Sequence, residues 1–95
     1  MGIEWSLKFK NREPGEALVF IQEHLLDAGF QNLDVDSKRI AIPSEYQGWN
    51  DMEFIVDDDS LYCVCHLGAV DGERLVEQIR QKFEENGFDF SLEEL

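Results

Sequence analysis

Cys63, Cys65 and His66 are the most closely spaced residues with reactive side chains. Thiolates and imidazoles hold zinc, and a cysteine in reach of a histidine makes a nucleophile pair. The spacing here suits neither. A structural zinc site needs a fourth ligand and usually about two to four residues between paired cysteines. One residue separates these two, and His24 is the only other histidine. On a strand Cys63 and Cys65 share a face while His66 takes the opposite one, so Cys65 and His66 do not meet. A disulfide across a single residue would be strained. Both cysteines therefore read as reduced thiols that pack as small apolar side chains. A Cys63–His24 pairing across the fold stays open.

Asp57-Asp58-Asp59 is the second set. Carboxylates bind hard cations, but a calcium loop of the EF-hand kind spreads its ligands over about 12 residues, with a fixed glycine and a terminal glutamate. That frame is absent, so the triplet reads as a charged turn. Asp34 and Asp36 are followed by Ser37-Lys38-Arg39, which disfavours a cation there too. No G-x-S-x-G, phosphate-binding loop or H-E-x-x-H occurs. The expectation is a chain with no catalytic residues, no metal and no cofactor. What remains is the segment Glu45-Tyr46-Gln47-Gly48-Trp49-Asn50-Asp51, where acids flank two aromatics. Tyrosine and tryptophan are enriched among binding hot spots. The candidate partner-binding residues are therefore Glu45, Tyr46, Trp49, Asp51, Asp57, Asp58 and Asp59, with a solvated acidic surface as the plain alternative.

These residues need a scaffold, and periodicity supplies one. Ile3, Trp5, Leu7 and Phe9 alternate with Glu4, Ser6 and Lys8, which predicts a half-buried strand over 3–9. Pro14 suits a first helical turn. Leu18, Ile21, Leu25 and Ala28 then recur at helical spacing up to Gly29, where a left-handed stop would fold Phe30 back towards Leu25. Leu33–Val35 and Arg39–Ile42 read as strands about a turn at Asp36-Ser37-Lys38, and 44–51 reads as a loop. Met52–Val56 and Leu61–Leu67 flank the Asp57–Ser60 turn as a hairpin. A second helix runs from about Gly72 to Asn86, with Asp71 as its cap and Leu75, Ile79 and Phe83 every fourth residue. Gly87 and Phe88 repeat the Gly29-Phe30 stop. Phe88, Phe90 and Leu92 alternate as a short last strand, and Glu93-Glu94-Leu95 reads as a frayed end.

The sum is one α+β domain over 1–95: a two-layer sandwich in the order β-α-β-β-β-β-α with a short last strand. Two helices cover one face of a mostly antiparallel sheet of four to six strands, and the other face is left to solvent or a partner.

The chain of 95 residues carries 21 acids against 8 bases, a net charge of -13. Such a charge repels nucleic acid and anionic membranes. Hydrophobic residues at 43% suit a packed core, and no apolar run approaches the roughly 20 residues of a membrane span. Reduced cysteines and the lack of an opening signal-peptide pattern point to the cytoplasm. The acids are uneven. Residues 40–73 hold eight and no base, residues 83–95 hold five, and the remainder is neutral. This asymmetry points to a basic protein partner, steered in by long-range attraction.

In size, isoelectric point near 4.2, free cysteines, α+β pattern and acids clustered with aromatics over 45–59, the chain resembles small acidic immunity proteins that bacteria make against nuclease toxins. That resemblance implies one-to-one binding of a basic toxin domain across its active site or substrate channel. Glu45, Asp51 and Asp57 to Asp59 would then meet Lys or Arg, with Tyr46 and Trp49 as apolar anchors. The alternative is a small regulatory or ligand-binding domain without catalysis, using a pocket between sheet and helices.

A net charge of -13 on so short a chain opposes compaction. The melting temperature will therefore rise with salt concentration. A thermal melt that stays flat from low to high salt would contradict this.

Overall fold

The alternating residues at the start of the chain form β1 (Ile3–Phe9), which pairs on both sides and so lies inside the sheet. The computed structural model describes residues 3–44, 50–66 and 72–95. After β1 come α1 (Pro14–Asp27), β2 (Asp34–Asp36), β3 (Arg39–Pro43), β4 (Asn50–Asp57), β5 (Ser60–Cys65), α2 (Gly72–Glu85) and β6 (Phe90–Glu94). The six strands form one sheet in the order β2-β3-β4-β5-β1-β6, with every neighbouring pair antiparallel. The fold is α+β, as the periodicities predict.

Pro14 opens α1 at a position that needs no amide donor, and the carbonyl of Glu13 takes the first helical bonds. Ala17, Leu18, Ile21 and Leu25 turn inwards. Gly29 ends the helix at φ 95°, a conformation that glycine adopts without steric cost. The Phe30 amide then donates back to the Leu25 carbonyl at 3.0 Å. α2 ends the same way, with Gly87 at φ 79° and the Phe88 amide on the Phe83 carbonyl at 3.0 Å. Both stops are the ones the two glycine–phenylalanine pairs predict. The expected cap of α2, Asp71, lies outside the described residues.

One face of the sheet carries the core. Trp5 and Leu7, Ile40 and Ile42, Met52 and Phe54, and Leu61, Cys63 and Cys65 point to the helices and are buried with them. α1 lies across β3, β4 and β5. α2 begins over Cys65 and Trp5. It ends at Phe83, whose ring sits 4.7–5.6 Å from Phe9, Phe20, Phe88 and Phe90. Offset and edge-on contacts of this kind add to the area buried.

The chain differs from its sequence reading at several element ends: β2 takes in Asp36 and leaves out Leu33, His66 falls outside β5, and Phe88 falls outside β6. β4 starts at Asn50, so Asn50 and Asp51 belong to a strand and not to the preceding loop. The end of the chain is paired and not frayed: Glu93 and Glu94 lie in β6, and the Leu95 amide donates to the Glu4 carbonyl at 2.8 Å. Residues that look like an acidic tail are held by a strand that lies nearly the whole chain away in sequence.

Gly72 sets how closely α2 approaches the sheet. A Cβ there would lie 2.3 Å from the Cys65 sulfur and 2.8 Å from its Cβ. Gly72→Ala will therefore cost about 1–3 kcal/mol through overpacking. Gly15→Ala, with nothing within 4 Å, will be neutral or stabilise by up to about 1 kcal/mol. Urea melts of the two variants against the parent chain measure the contrast.

Candidate protein-binding face

The thiols and imidazoles do not assemble a reactive centre among the described residues. Cys63 and Cys65 are buried thiols that form no disulfide, on the helix-covered face. Burial, and then the neighbouring Cys65, push the Cys63 thiol well above its ordinary pKa, so it is not a thiolate at neutral pH. His24 is half-buried on α1 and its Nε2 has no partner. Burial first, and then Lys82, hold its imidazole below the usual value. Of the clefts in the described surface, one of about 560 Å³ is lined by Lys10, Arg12, Asp58 and Asp59 among others, and one of about 260 Å³ by Arg12, Phe20 and Phe88 among others. Neither is lined by Cys63 or His24. Among the described residues no group of three or more His, Cys, Asp or Glu is placed to hold a metal ion. None of the described helices is long and apolar enough to cross a membrane.

The acidic candidates separate. Asp57, Asp58 and Asp59 are exposed at the tip of the β4–β5 hairpin. Asp58 takes a positive φ of 52°, and the Ser60 hydroxyl donates to the Asp57 carbonyl at 3.0 Å. Asp51 sits at the other end of β4. Six residues of extended chain hold it about 20 Å from Asp57. It is also buried, at 6% exposure, and its Oδ1 has no partner. Asp51 is therefore not one of the exposed acids. Glu45, Tyr46 and Trp49 lie outside the described residues.

The register assembles a surface that the sequence reading did not name. Side chains out of phase with the core emerge on the face away from the helices. One row runs Asp34, Ala41, Glu53, Val64, Glu4 across β2, β3, β4, β5 and β1. The next runs Asp36, Arg39, Ile55, Tyr62, Ser6, Glu93 across all six strands. Ile55 and Tyr62 are half-buried at the centre of these rows, flanked by Ala41 and Val64, which are themselves buried. Glu4, Asp34, Asp36, Glu53, Asp57 and Glu93 surround it, against Lys8 and Arg39 alone.

Arg39 is already engaged. Its guanidinium reaches Asp34 at 3.2 Å and Glu53 at 3.4 Å, and Asn50 also donates to Glu53 at 2.9 Å. Tyr62, the aromatic in these rows, donates its hydroxyl to the Glu4 carboxylate. That bond joins diagonal positions on neighbouring strands and ties the ring's hydroxyl end to β1. The sequence does carry a signal for this face. Tyr62 and Val64 alternate with Leu61, Cys63 and Cys65, so β5 is apolar on both sides.

No protein-family model, curated protein or solved structure matches the chain.

The hydrogen bond to Glu4, then burial, push the Tyr62 phenol up to about 12. A phenol with a folded pKa above its unfolded value of 10.0 favours the fold fully below pH 10. That contribution is lost as pH rises from 10 towards about 12. Absorbance titration near 295 nm will show one late-ionising phenol that disappears in Tyr62→Phe and titrates earlier in Glu4→Ala. A Tyr62 that ionises at the ordinary value would contradict the pairing.

Proposed function

We propose that this chain is a non-catalytic protein-binding domain that holds a basic partner on the open face of its sheet. Its mode is that of a small immunity protein neutralising a basic, nuclease-type toxin in the cytoplasm. The observation that carries the reading is the open face itself. A half-buried apolar centre of Ile55 and Tyr62 is ringed by acids, while the basic Arg39 is held by Asp34 and Glu53.

The chemistry follows from that arrangement. Unpaired acids around the rim raise the rate of encounter with a cationic surface and reject an anionic one. They contribute little once bound, because rim charges stay solvated. The half-buried Tyr62 and Ile55 lose water on contact and carry the holding energy. The exposed Asp57, Asp58 and Asp59 tip lies at one end of this face and extends the same field. A partner that covers it with its own cationic active-site cleft would be blocked without any reaction.

The smaller alternative, a ligand-binding domain, draws on the cleft of about 560 Å³ between the hairpin tip and residues 9–16. Its lining sets only Phe9 and Pro14 among Lys10, Asn11, Arg12, Glu13, Glu16, Asp58 and Asp59, so it is far more polar than the mostly apolar sites that small molecules use.

The test is capture of a partner from the source organism on the immobilised chain, at low and high salt, followed by titration of the purified pair. Binding will be one-to-one and will weaken with salt. Asp36→Lys with Glu93→Lys will weaken it by at least about tenfold, mostly through the association rate. Asp57, Asp58 and Asp59 changed together to Asn will have the smaller effect of the same sign. Retention of no partner at low salt, or affinity indifferent to the Asp36 and Glu93 reversals, would sink the proposal.

A further inference from the structure

The sheet ends on one side in β2, three residues long, and on the other in β6, five residues long and paired to β1 without a register shift. Which groups β6 presents outwards can be read from its bonds. The Lys10 amide donates to Asp89 and the Leu95 amide donates to Glu4. In an antiparallel ladder the bonded pairs alternate, so Asp89, Ser91, Glu93 and Leu95 face β1. Phe90, Leu92 and Glu94 therefore turn their N–H and C=O groups away from the sheet. Among the described residues no strand pairs with them. Ser91, Glu93 and Glu94 are exposed, and Phe90 and Leu92 are half-buried.

A free edge of this kind pairs with whatever strand fits it. β6 contains no proline, no lysine and no bulge to prevent that. It is guarded by charge alone. Glu93 stands on the open face, and Glu94, opposite Trp5, stands on the helix-covered side. A second copy of this chain would bring its own -13 and its own Glu93 and Glu94 to the edge. A cationic strand would meet those carboxylates as partners. Glu93 is also the last residue of the row that crosses the open face, so the edge and that face are continuous.

We infer that β6 is the docking edge for an extended, basic strand of the partner, which adds to the sheet as a seventh, antiparallel strand. The inference rests on the proposed binding of a basic partner and adds how that partner is held. Backbone bonds to Phe90, Leu92 and Glu94 supply register, and side chains supply selectivity. The incoming strand places Lys or Arg against Glu93 and Glu94 and an apolar residue beside Leu92 and Phe90. Read antiparallel to β6, its pattern is two basic residues, an apolar one, a polar one and an apolar one.

The probe is an acetylated, amidated peptide Lys-Lys-Val-Thr-Val flanked by threonines, titrated into the intact 95-residue chain at low salt and followed by amide NMR. Exchange of the Phe90, Leu92 and Glu94 amides will slow by at least about tenfold at saturation. N-methylation of the peptide amides that face β6 will abolish binding, whereas methylation of the alternate amides will not. A peptide with Glu-Glu for Lys-Lys will not bind. These controls change only the peptide, so no variant has to fold. Shifts confined to Glu53, Ile55, Tyr62 and Val64 would overturn the edge inference and leave the open-face proposal standing. Absence of binding, or binding indifferent to which amides are methylated, would overturn it as well. Protection of the same three amides in the free chain, with a dimer mass by sedimentation, would assign the edge to a second copy and overturn it too.

Discussion

The pairing of β5 with β4 on one side and β1 on the other decides which residues the rest of the chain can use. Cys63 lies between Phe54 and Trp5, and Leu61 lies between Val56 and Leu7. That register turns Leu61, Cys63 and Cys65 towards the helices and Tyr62 and Val64 away from them. Strand side chains have a period of two, so a slip of one residue would exchange the two sets. The hydroxyl of Tyr62 would then sit under the helices in place of a small thiol. Phe54 and Trp5 fix the register because each is large, buried and on a neighbouring strand. The small Cys65 beneath Gly72 then lets α2 lie close to the sheet. Core packing and the open face are thus two consequences of one alignment.

Sequence signals are legible in the structure wherever the deciding physics is local. The two glycine stops are legible because a left-handed residue, followed by a phenylalanine that packs back, needs only neighbouring residues. The alternation of β1 and the Asp57–Ser60 turn are legible for the same reason. Strand order is not. Nothing near Ile3–Phe9 says that this strand will lie between the last two strands of the chain. The pairing of Glu93 and Glu94 depends on Trp5 and Ser6, and two adjacent glutamates near a chain end have poor intrinsic strand preference. Tertiary pairing overrode that preference. The candidate face was half legible. Its acids were visible as an excess over 40–73 and 83–95, but their grouping around Ile55 and Tyr62 needs the register of five strand pairs. Asp51 shows the converse: an acid whose type suggests a surface position, placed by the strand it begins in a buried site.

The charge of -13 is accommodated because the described acids, Asp51 excepted, stand where water reaches them. α2 carries Glu73 in its first turn, where a helix favours anions, and Lys82 in its last. Glu84 and Glu85 stand at the unfavourable end of that helix, but Arg80 and Lys82 lie one turn away, with Arg80 at 3.0 Å from Glu84 and Lys82 at 3.8 Å from Glu85. Exposed pairs like these contribute little individually. Their effect is to confine repulsion to β2, the hairpin tip, the open face and β6, where bases are scarce. Repulsion left uncompensated within the fold is available to a partner that supplies the missing cations.

This gives the open face and the β6 edge a common logic. An edge strand is a hazard because its backbone accepts any strand, including another copy of itself. Proline or a bulge would close the edge to every partner alike. Like charge closes it selectively, since the cost of bringing two carboxylate-bearing edges together grows with the charge of both chains, while a basic strand meets attraction at the same atoms. Glu94 sharpens the selection because it stands on the helix-covered side of the sheet, beside the half-buried Leu92. An apolar neighbour there would leave its carboxylate partly desolvated without a partner, and a lysine or arginine would satisfy it. In the proposed docking, the acids that repel one another within the fold are therefore the same groups that would make the exposed backbone of Phe90, Leu92 and Glu94 specific.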